Sequence, residues 1–386
     1  MNLDFDDDEQ AFAVEVRDWL AAHLELPPRF DTIDDEIAWG RQWQAKLAEG
    51  RWVGIHWPAE YGGRGASPVQ VAIFNMEYAR SRALQPVNRV GINLAGPTLL
   101  AHGTEIQKQR WLPTILDATE IWCQLFSEPD AGSDLASLST RAVAVDDGFL
   151  LSGQKVWTSY AQFASFGICL ARTDAEAPKH QGISYIVVPM DAPGIEIRPL
   201  VQITGEAEFN EVFLDEVFVP ADHVVGPLHA GWAVANTTLA HERGTAFPFK
   251  EQVVHEVYLD EIYQLAAHLD RLDDPDIADA LAAAFVELRV LRLHNWRTLS
   301  RLTRGIEPGP ESSIVKLQWT DMTQHLSATA LDVCGPAAPL GPGAHDSPGD
   351  GKWQRQWLWS MAASIAGGTS EVQRTILGER MLGLPR

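Results

Sequence analysis

Cysteine is scarce in this sequence. Its 386 residues include three cysteines, which lie far apart and form no CxxC pair: Cys123, Cys169 and Cys334. This usage excludes a disulfide framework and a cysteine metal site, and we expect no bound metal. Such a chain suits a reducing cytosol, so we predict a cytoplasmic protein.

A long apolar run is also missing. No uninterrupted apolar stretch reaches the roughly 20 residues that span a bilayer. A signal peptide begins with basic and then apolar residues, whereas this chain begins with an acidic stretch from Asp4 to Glu9. We therefore expect a soluble protein with no membrane partner.

Basic residues are outnumbered by acidic ones. Lys and Arg total 30 against 52 Asp and Glu, which gives a formal net charge of -22. A surface of this sign repels nucleic acid and anionic lipid, so neither is expected as a partner. An anionic ligand such as a nucleotide would need locally placed Arg, Lys or helix N-termini.

Helical and strand-like patterns follow one another in three blocks. A chain of 386 residues is too long for one hydrophobic core. Helical spacing fills the first block, short apolar runs separated by Gly, Pro and Asp fill the second, and helical spacing then returns. We predict an α+β multidomain fold, with an N-terminal helical domain over 1–119, a compact antiparallel β-domain over 120–230 and a helical bundle over 231–386.

Individual elements can be placed within these blocks. Ser67-Pro68 is typical of a helix N-cap followed by proline at the first helical position. The apolar runs over 166–170, 183–188 and 211–219 predict strands. Two long helices are marked by Leu281, Phe285 and Leu288 in one and by Val315, Trp319, Met322, Leu326 and Val333 in the other.

Three segments indicate a specific chemistry. Residues 124–134 read QLFSEPDAGSD, residues 153–159 read GQKVWTS, and residues 367–374 read GGTSEVQR. Taken singly, they are typical of a loop, a strand with a core tryptophan, and a helix start capped by Thr or Ser. In combination and in this order, together with the loop at 57–63 and the joint at 226–232, they resemble the acyl-CoA dehydrogenase family. The resemblance covers essentially the whole chain.

The resemblance implies a helical domain, a central β-barrel and a C-terminal four-helix bundle, with FAD as cofactor. In that family the aromatic of the second segment shields one flavin face, which here is Trp157. Ser127 matches a hydroxyl near the ring, Ser159 the hydroxyl facing flavin N5, and Ser133 a serine that binds the CoA moiety. The residues implied to bind FAD are Gln124, Phe126, Ser127, Gly132, Ser133, Trp157, Ser159, Gly368 and Thr369. A core role for Trp157 is the alternative.

The α,β-dehydrogenation of an acyl-CoA, which the resemblance implies, needs a base. A thioester α-proton is weakly acidic and must be removed by a carboxylate in a dry site. Many family members carry that glutamate immediately before the Gly-Thr-Ser, where this chain has Gly367. A minority place it on the first long helix of the C-terminal domain, and the matching residue is Glu242. Arg243 matches an arginine that contacts CoA. A surface helix carboxylate and a surface salt bridge are the alternatives for Glu242 and Arg243.

The implied reaction is α,β-dehydrogenation of an acyl-CoA. The thioester carbonyl accepts hydrogen bonds from the backbone N–H of Gly367 and from the flavin ribityl chain, Glu242 removes the α-proton, and the β-hydrogen leaves as hydride to flavin N5. By resemblance, the electrons then pass to an electron-transfer flavoprotein. A base on the earlier helix is associated in the family with bulky or branched acyl groups.

The expected assembly departs from the usual tetramer. Family members usually carry an Arg-x-x-Phe-Gly motif that reaches the FAD of a neighbouring subunit, and residues 244–269 contain none. The sequence therefore leaves open a homo-oligomer and a heterotetramer with a second dehydrogenase-like chain. The chain resembles the base-bearing subunits of actinobacterial dehydrogenases that act on steroid side chains. Two other functions also stay open, namely a flavin oxidase or monooxygenase on the same fold and a non-catalytic partner subunit.

Overall fold

A computed structural model describes residues 5–30, 32–242, 246–306 and 309–385 and, of residues 242 and 246–248, the backbone only. Its α-helices are α1 Asp7–His23, α2 Ile33–Glu49, α3 Pro68–Arg80, α4 Gly96–His102, α5 Glu105–Leu116, α6 Gly231–Glu242, α7 Ala246–His268, α8 Pro275–Leu302, α9 Ser312–Cys334, α10 Lys352–Ser360 and α11 Ser370–Ile376. Its β-strands are β1 Trp122–Leu125, β2 Arg141–Val145, β3 Gly148–Ser159, β4 Phe166–Arg172, β5 Ile183–Pro189, β6 Ile195–Leu200, β7 Phe209–Pro220 and β8 Val224–Val225.

The predicted start of α3 is confirmed. The Ser67 side chain accepts a hydrogen bond from the backbone N–H of Gln70 at 3.2 Å, and the Gln70 side chain accepts one from the Ser67 N–H at 2.9 Å. This reciprocal capping satisfies two backbone donors at the helix end. Pro68 occupies the first turn, where its missing N–H costs nothing.

The first of two compact units is helical. It comprises residues 1–25, 67–83 and 243–386, as far as these are described. Helix α3 packs on α1 and α7, and α9 packs on α8, α7, α10 and α11. The five apolar residues that marked α9 are all buried, so that prediction is confirmed.

The prediction for α8 was right for two of its three residues. Leu281 and Leu288 are buried, but Phe285 is 48% exposed. Successive helical residues advance by about 100°, so Ala284 and Phe285 lie on opposite sides of the line through Leu281. The core covers the side with Ala284, which is buried, and leaves Phe285 exposed.

The second compact unit comprises residues 26–66 and 84–242 and contains the β-sheet. The strand order is β6-β7-β3-β2-β4-β5-β8, with β1 added to β4. Inward-facing apolar side chains of β1, β3, β5 and β7 form the core of this unit, including Cys123, Leu151, Val188 and Val217. The predicted strands at 166–170, 183–188 and 211–219 are confirmed as parts of β4, β5 and β7.

The prediction of a closed antiparallel barrel was wrong. In the part of the chain that the structure describes, β6 and β8 each pair on one side only, so the sheet is open. The sheet is also mixed, because β1 runs parallel to β4 with Trp122 opposite Phe166. The chain passes from β1 through β2 and β3 before it reaches β4, and this connection allows β1 and β4 to run in the same direction. β8 is two residues long and too short to carry the sheet round to β6.

Among the described residues, no helix combines the length and the apolar character that crossing a bilayer requires. The same residues contain no group of three or more His, Cys, Asp or Glu side chains suited to hold a metal ion. Cys123, Cys169 and Cys334 are free and buried.

Candidate functional site

The segment after β1 forms a tight turn against β3. Glu128 and Ala131 exchange two backbone hydrogen bonds, of 3.0 and 3.1 Å, and the Ser127 carbonyl accepts from the Val156 N–H at 2.9 Å. Gly132 and Ser133 are exposed at the end of the turn. The structure therefore brings the predicted residues around Ser127 beside the predicted residues at the end of β3.

Trp157 lies on an irregularity of β3. The pairing register with β7 shifts between Lys155 and Thr158, and Trp157 there has a φ of +59°. A bulky residue rarely adopts this left-handed conformation, and a bulge of this kind redirects one side chain. The indole is 60% exposed and contacts Phe209 edge-on, with ring centroids 6.0 Å apart. The alternative of a core tryptophan was therefore wrong.

Three further residues that are predicted to bind FAD lie on or next to β1 and β3. Phe126 is buried and stacks edge-on with Tyr185, with ring centroids 6.0 Å apart. Gln124 is half-buried on β1, and Ser159 is half-buried at the end of β3, opposite Phe209. Gln124 and Ser159 thus sit on strands, whereas Ser127, Gly132 and Ser133 lie in the turn after β1.

A buried ion pair fastens the turn to the sheet. Lys155 and Glu128 have side chains 0% and 3% exposed, and Nζ of Lys155 lies 2.9 Å from Oε1 of Glu128. The same ammonium donates to the carbonyl oxygens of Phe126 at 3.1 Å and Leu170 at 2.8 Å. All three of its N–H groups are therefore used, which is the condition for burying such a charge.

Glu128 is equally well satisfied. Its carboxylate accepts hydrogen bonds from the backbone N–H groups of Ser139 at 2.6 Å and Thr140 at 2.9 Å, and from the Ser139 hydroxyl at 2.7 Å. Sequence reasoning missed this pair. The available signal was strand alternation, because Lys155 lies four residues after the buried Leu151, and positions an even number of residues apart face the same side of a strand.

This pair predicts an acid-sensitive fold. Burial raises the pKa of Glu128, but the charge of Lys155 and the hydrogen bonds to the carboxylate outweigh it and lower the pKa to about 2. Because the folded-state pKa of Glu128 is below the unfolded value of about 4.3, its ionised carboxylate stabilises the folded protein above pH 4.3. This stabilisation is lost as the pH falls from about 4.3 to 2. Urea midpoints measured between pH 5 and 2.5 should fall steeply for the native chain. The slope should be shallower for Glu128→Gln, and equal slopes would contradict the prediction.

The third predicted segment forms a turn at the start of α11. Gly367 and Gly368 have φ values of +65° and +90°, and a Cβ on Gly368 would lie 2.6 Å from Nε2 of Gln373. That buried amide donates to the carbonyl oxygens of Gly367 at 3.2 Å and Gly368 at 3.4 Å. Thr369 is the helix N-cap and accepts from the Val372 N–H at 3.2 Å. This turn belongs to the helical unit, whereas Trp157 belongs to the sheet-containing unit.

The predicted base lies at the end of α6. Glu242 is the last residue of this helix, and its side chain is outside the description. Arg243 lies outside the described residues. Helix α6 is anchored by the buried Thr238, whose hydroxyl lies 2.8 Å from that of Thr98 and 3.2 Å from that of Tyr185.

Family models match the chain in three consecutive stretches. They are the N-terminal, middle and C-terminal domains of acyl-CoA dehydrogenase, over residues 6–119, 123–217 and 229–382. A relative from Mycobacterium tuberculosis, "Acyl-CoA dehydrogenase IpdE1", is 41% identical over 98% of both chains. The chain belongs to the acyl-CoA dehydrogenase family.

Solved structures of acyl-CoA dehydrogenases are also similar over the full length. The "Tcur3481-Tcur3483 steroid ACAD" has a TM-score of 0.86 and 29% identity, covering 100% of both chains. The ChsE4-ChsE5 complex from Mycobacterium tuberculosis has a TM-score of 0.84 and 30% identity, again covering 100% of both chains. The three-domain fold of the family is confirmed, apart from closure of the sheet, and the chain is an acyl-CoA dehydrogenase.

Acyl-CoA dehydrogenases are flavin-dependent, and Trp157 is suited to contact a flavin ring. An exposed indole held on a strained bulge offers a flat apolar face, as a planar aromatic ligand requires. Small and hydroxyl side chains lie along the adjacent turn, at Ser127, Gly132 and Ser133. The residues present therefore fit this cofactor class.

Replacing Trp157 should weaken flavin binding but leave the unfolding free energy nearly unchanged. We expect Trp157→Ala to weaken flavin retention by about tenfold, because ring–ring contact contributes roughly 1.5 kcal/mol beyond its area. The unfolding free energy should change by less than about 1 kcal/mol, whereas a core tryptophan would lose about 3–5 kcal/mol. Flavin absorbance after repeated ultrafiltration and urea unfolding measure the two quantities. Trp157→Phe is the control and should retain flavin, and a large loss of stability would contradict the prediction.

Proposed function

We propose that this chain catalyses FAD-dependent α,β-dehydrogenation of an acyl-CoA thioester, with Glu242 as the base. The observation that carries the proposal is the exposed indole of Trp157 on its bulge, next to the Ser127 turn, in a chain of this family. FAD, when bound, supplies the acceptor for the β-hydrogen. The chain's own residues supply binding, orientation and proton removal.

The proposed cofactor contacts are the residues of the three motifs. Those that would hold FAD are Gln124, Phe126, Ser127, Gly132, Ser133, Trp157, Ser159, Gly368 and Thr369. Support comes from the half-buried hydroxyls of Ser127 and Ser159 and from the glycines at 367–368, which have no side chains of their own to cover their backbone N–H groups. Ser133 and Arg243 would bind the CoA moiety.

The proposed proton transfer uses Glu242, because Gly367 stands at the other position for a base. The φ of +65° at Gly367 is a conformation in which a glutamate would be strained by about 1–2 kcal/mol. The turn is therefore suited to glycine itself. In this proposal the Gly367 backbone N–H donates to the thioester carbonyl and stabilises the negative charge that develops as Glu242 removes the α-proton.

The proposed substrate carries a bulky acyl group of the steroid side-chain type. Support comes from two solved structures titled as steroid acyl-CoA dehydrogenases, at 29–30% identity over nearly the whole chain. Those titles name two chains, as does that of the ChsE4-ChsE5 complex. We propose that this chain likewise works with a second dehydrogenase-like chain, and that an electron-transfer flavoprotein reoxidises the cofactor.

A spectroscopic titration tests the proposal. The purified chain, alone and co-expressed with a candidate second chain, is titrated without oxygen with straight-chain, branched and steroid side-chain acyl-CoA thioesters. We expect the visible flavin band to bleach with the steroid side-chain thioester and to recover with an electron-transfer flavoprotein. Glu242→Gln is the matched control, because it keeps the shape of the site and removes the base.

Three outcomes would overturn parts of the proposal. Bleaching only by straight-chain thioesters would refute the substrate class. Recovery of the band as fast with dissolved oxygen as with the flavoprotein would favour an oxidase. If the chain binds flavin, alone or co-expressed with the second chain, and the flavin band bleaches with none of the thioesters, a non-catalytic subunit would be favoured.

A further inference from the structure

Helix α6 begins directly against the backbone of β5. Its first residue is Gly231, and a Cβ at this position would lie 2.4 Å from the backbone nitrogen of Tyr185 and 2.5 Å from the carbonyl carbon of Ser184. Non-bonded carbon atoms do not approach a backbone this closely, so the contact is open to glycine alone. The start of α6 is therefore fixed on the backbone of Tyr185.

Further along, α6 meets the side chain of the same tyrosine. The hydroxyl of Thr238 lies 2.8 Å from that of Thr98 on α4, and it donates a hydrogen bond to the Tyr185 oxygen at 3.2 Å. Thr98 and Thr238 are 0% exposed, and Tyr185 is 1% exposed. Because a hydroxyl at this depth is costly without a partner, the three groups hold one another in place.

The ring of Tyr185 reaches the first of the three motifs. It packs edge-on against Phe126, with the ring centroids 6.0 Å apart, and Phe126 directly precedes Ser127. A tyrosine is a stiff connector, because its planar ring leaves only two side-chain torsions. Tyr185 therefore joins α6, through its hydroxyl, to the segment that is proposed to hold the flavin, through its ring.

The anchored part of α6 lies immediately before the proposed base. Glu242 follows Thr238 by four residues, so the two positions lie on the same side of the helix, about 6 Å apart along its axis. The neighbouring Thr237 makes a second contact to α4, where its hydroxyl lies 2.8 Å from Nε2 of His102. The last turns of α6 are thus held by side chains of two other elements.

We propose that Tyr185 is a positioning residue, which holds the base-bearing end of α6 at a fixed place relative to the Phe126 segment. This inference rests on the proposed function, since it takes Glu242 as the base. Proton removal depends on geometry, and a misplacement of about 1 Å can cost on the order of 10²-fold in rate. Burial raises the pKa of Tyr185, so its hydroxyl stays protonated and acts by hydrogen bonding, not as an acid or base.

Removal of single hydroxyls tests the positioning role. Tyr185→Phe and Thr238→Val each keep the size of the side chain and break the hydroxyl cluster. We expect each to slow flavin bleaching by a saturating acyl-CoA thioester about tenfold, because the base is held less firmly. The thioester affinity and flavin retention should stay within about twofold of native, since the rate alone depends on where the base lies. Thr238→Ser keeps the hydroxyl and should restore the native rate.

The matched control is Thr329→Val on α9. Thr329 is another buried threonine, and its hydroxyl donates within its own helix to the His325 carbonyl at 2.9 Å. Its loss should lower the urea midpoint as Thr238→Val does but leave the bleaching rate native. Tyr185→Phe combined with Thr238→Val should bleach about as slowly as either single variant, because both break one cluster. A double variant slowed by the product of the two single effects would overturn the inference.

Amide hydrogen exchange of the flavin-bound protein measures the anchoring without any chemistry. In Tyr185→Phe and Thr238→Val, the amides of residues 235–241 should exchange about tenfold faster than in the native chain, whereas those of α5 should not change. Unchanged exchange, or faster exchange with a native bleaching rate, would overturn the positioning role. If Glu242→Gln bleached at the native rate, the proposed base would be refuted instead. Faster exchange would then show an anchored helix that positions no base.

Discussion

Glu242→Gln is expected to lower kcat for acyl-CoA oxidation by on the order of 10³-fold, the middle of the range for losing a general base. Glutamine keeps the size and hydrogen-bonding shape of the side chain but does not accept the α-proton. Substrate and flavin should therefore bind with little change. Stopped-flow absorbance of the flavin band gives the rate, and a thioester titration of the same variant gives the affinity.

The control for this variant must change the same functional group elsewhere in the same unit. Glu176→Gln does so, because Glu176 is an exposed carboxylate in the loop after β4. It removes one negative charge from the chain and should leave kcat unchanged. If Glu242→Gln kept more than about a tenth of the native kcat, the base would lie elsewhere and the assignment of Glu242 would be refuted.

Lys155→Met is expected to destabilise the protein by about 3–5 kcal/mol, because it leaves the Glu128 carboxylate buried without its counter-charge. The same change removes the donor that holds the Phe126 carbonyl. The turn that follows Ser127 should therefore loosen, and flavin should be lost together with stability. Urea unfolding gives the free energy, and the absorbance ratio of flavin to protein gives the occupancy.

Two further variants separate charge from packing. Lys155→Met combined with Glu128→Gln removes both charges and should recover part of the lost stability, since a neutral amide still accepts from Ser139 and Thr140. Arg198→Met breaks an exposed pair with Glu196 and should leave the unfolding midpoint unchanged. A double variant less stable than Lys155→Met would contradict this explanation.

The sequence predicted local elements well because their signals are local. An apolar run bounded by Gly or Pro needs no knowledge of the rest of the chain, and β4, β5 and β7 appear where such runs occur. The Ser67-Pro68 cap is equally local, since both partners lie within four residues. The family was visible for the same reason, as its three motifs are short and contiguous.

Pairing between distant segments could not be read in this way. Closure of the sheet depends on whether β6 meets β8, and the parallel pairing of β1 with β4 joins residues about forty positions apart. No local pattern distinguishes an open mixed sheet from a closed barrel, because both bury alternate side chains. Non-local hydrogen bonding decided this point.

The candidate site shows the same division. The motif predicted a flavin contact for Trp157, but the bulge that exposes its indole arises from the register of β3 against β7. Lys155 and Glu128 stand 27 positions apart, and each alone is typical of a surface charge. Only the fold makes them a buried pair.

The helical unit is assembled from three separate stretches of chain, and this has a consequence for synthesis on the ribosome. Helix α3 ends at Arg80, whereas α7, on which it packs, ends at His268. At roughly 5–20 residues per second, about 10–40 s separate the translation of the two helices. The sheet-containing unit is fully translated during this interval and can fold first. The part of α3 that packs on α7 meanwhile stays uncovered, so the nascent chain offers a binding site for chaperones that the finished protein lacks.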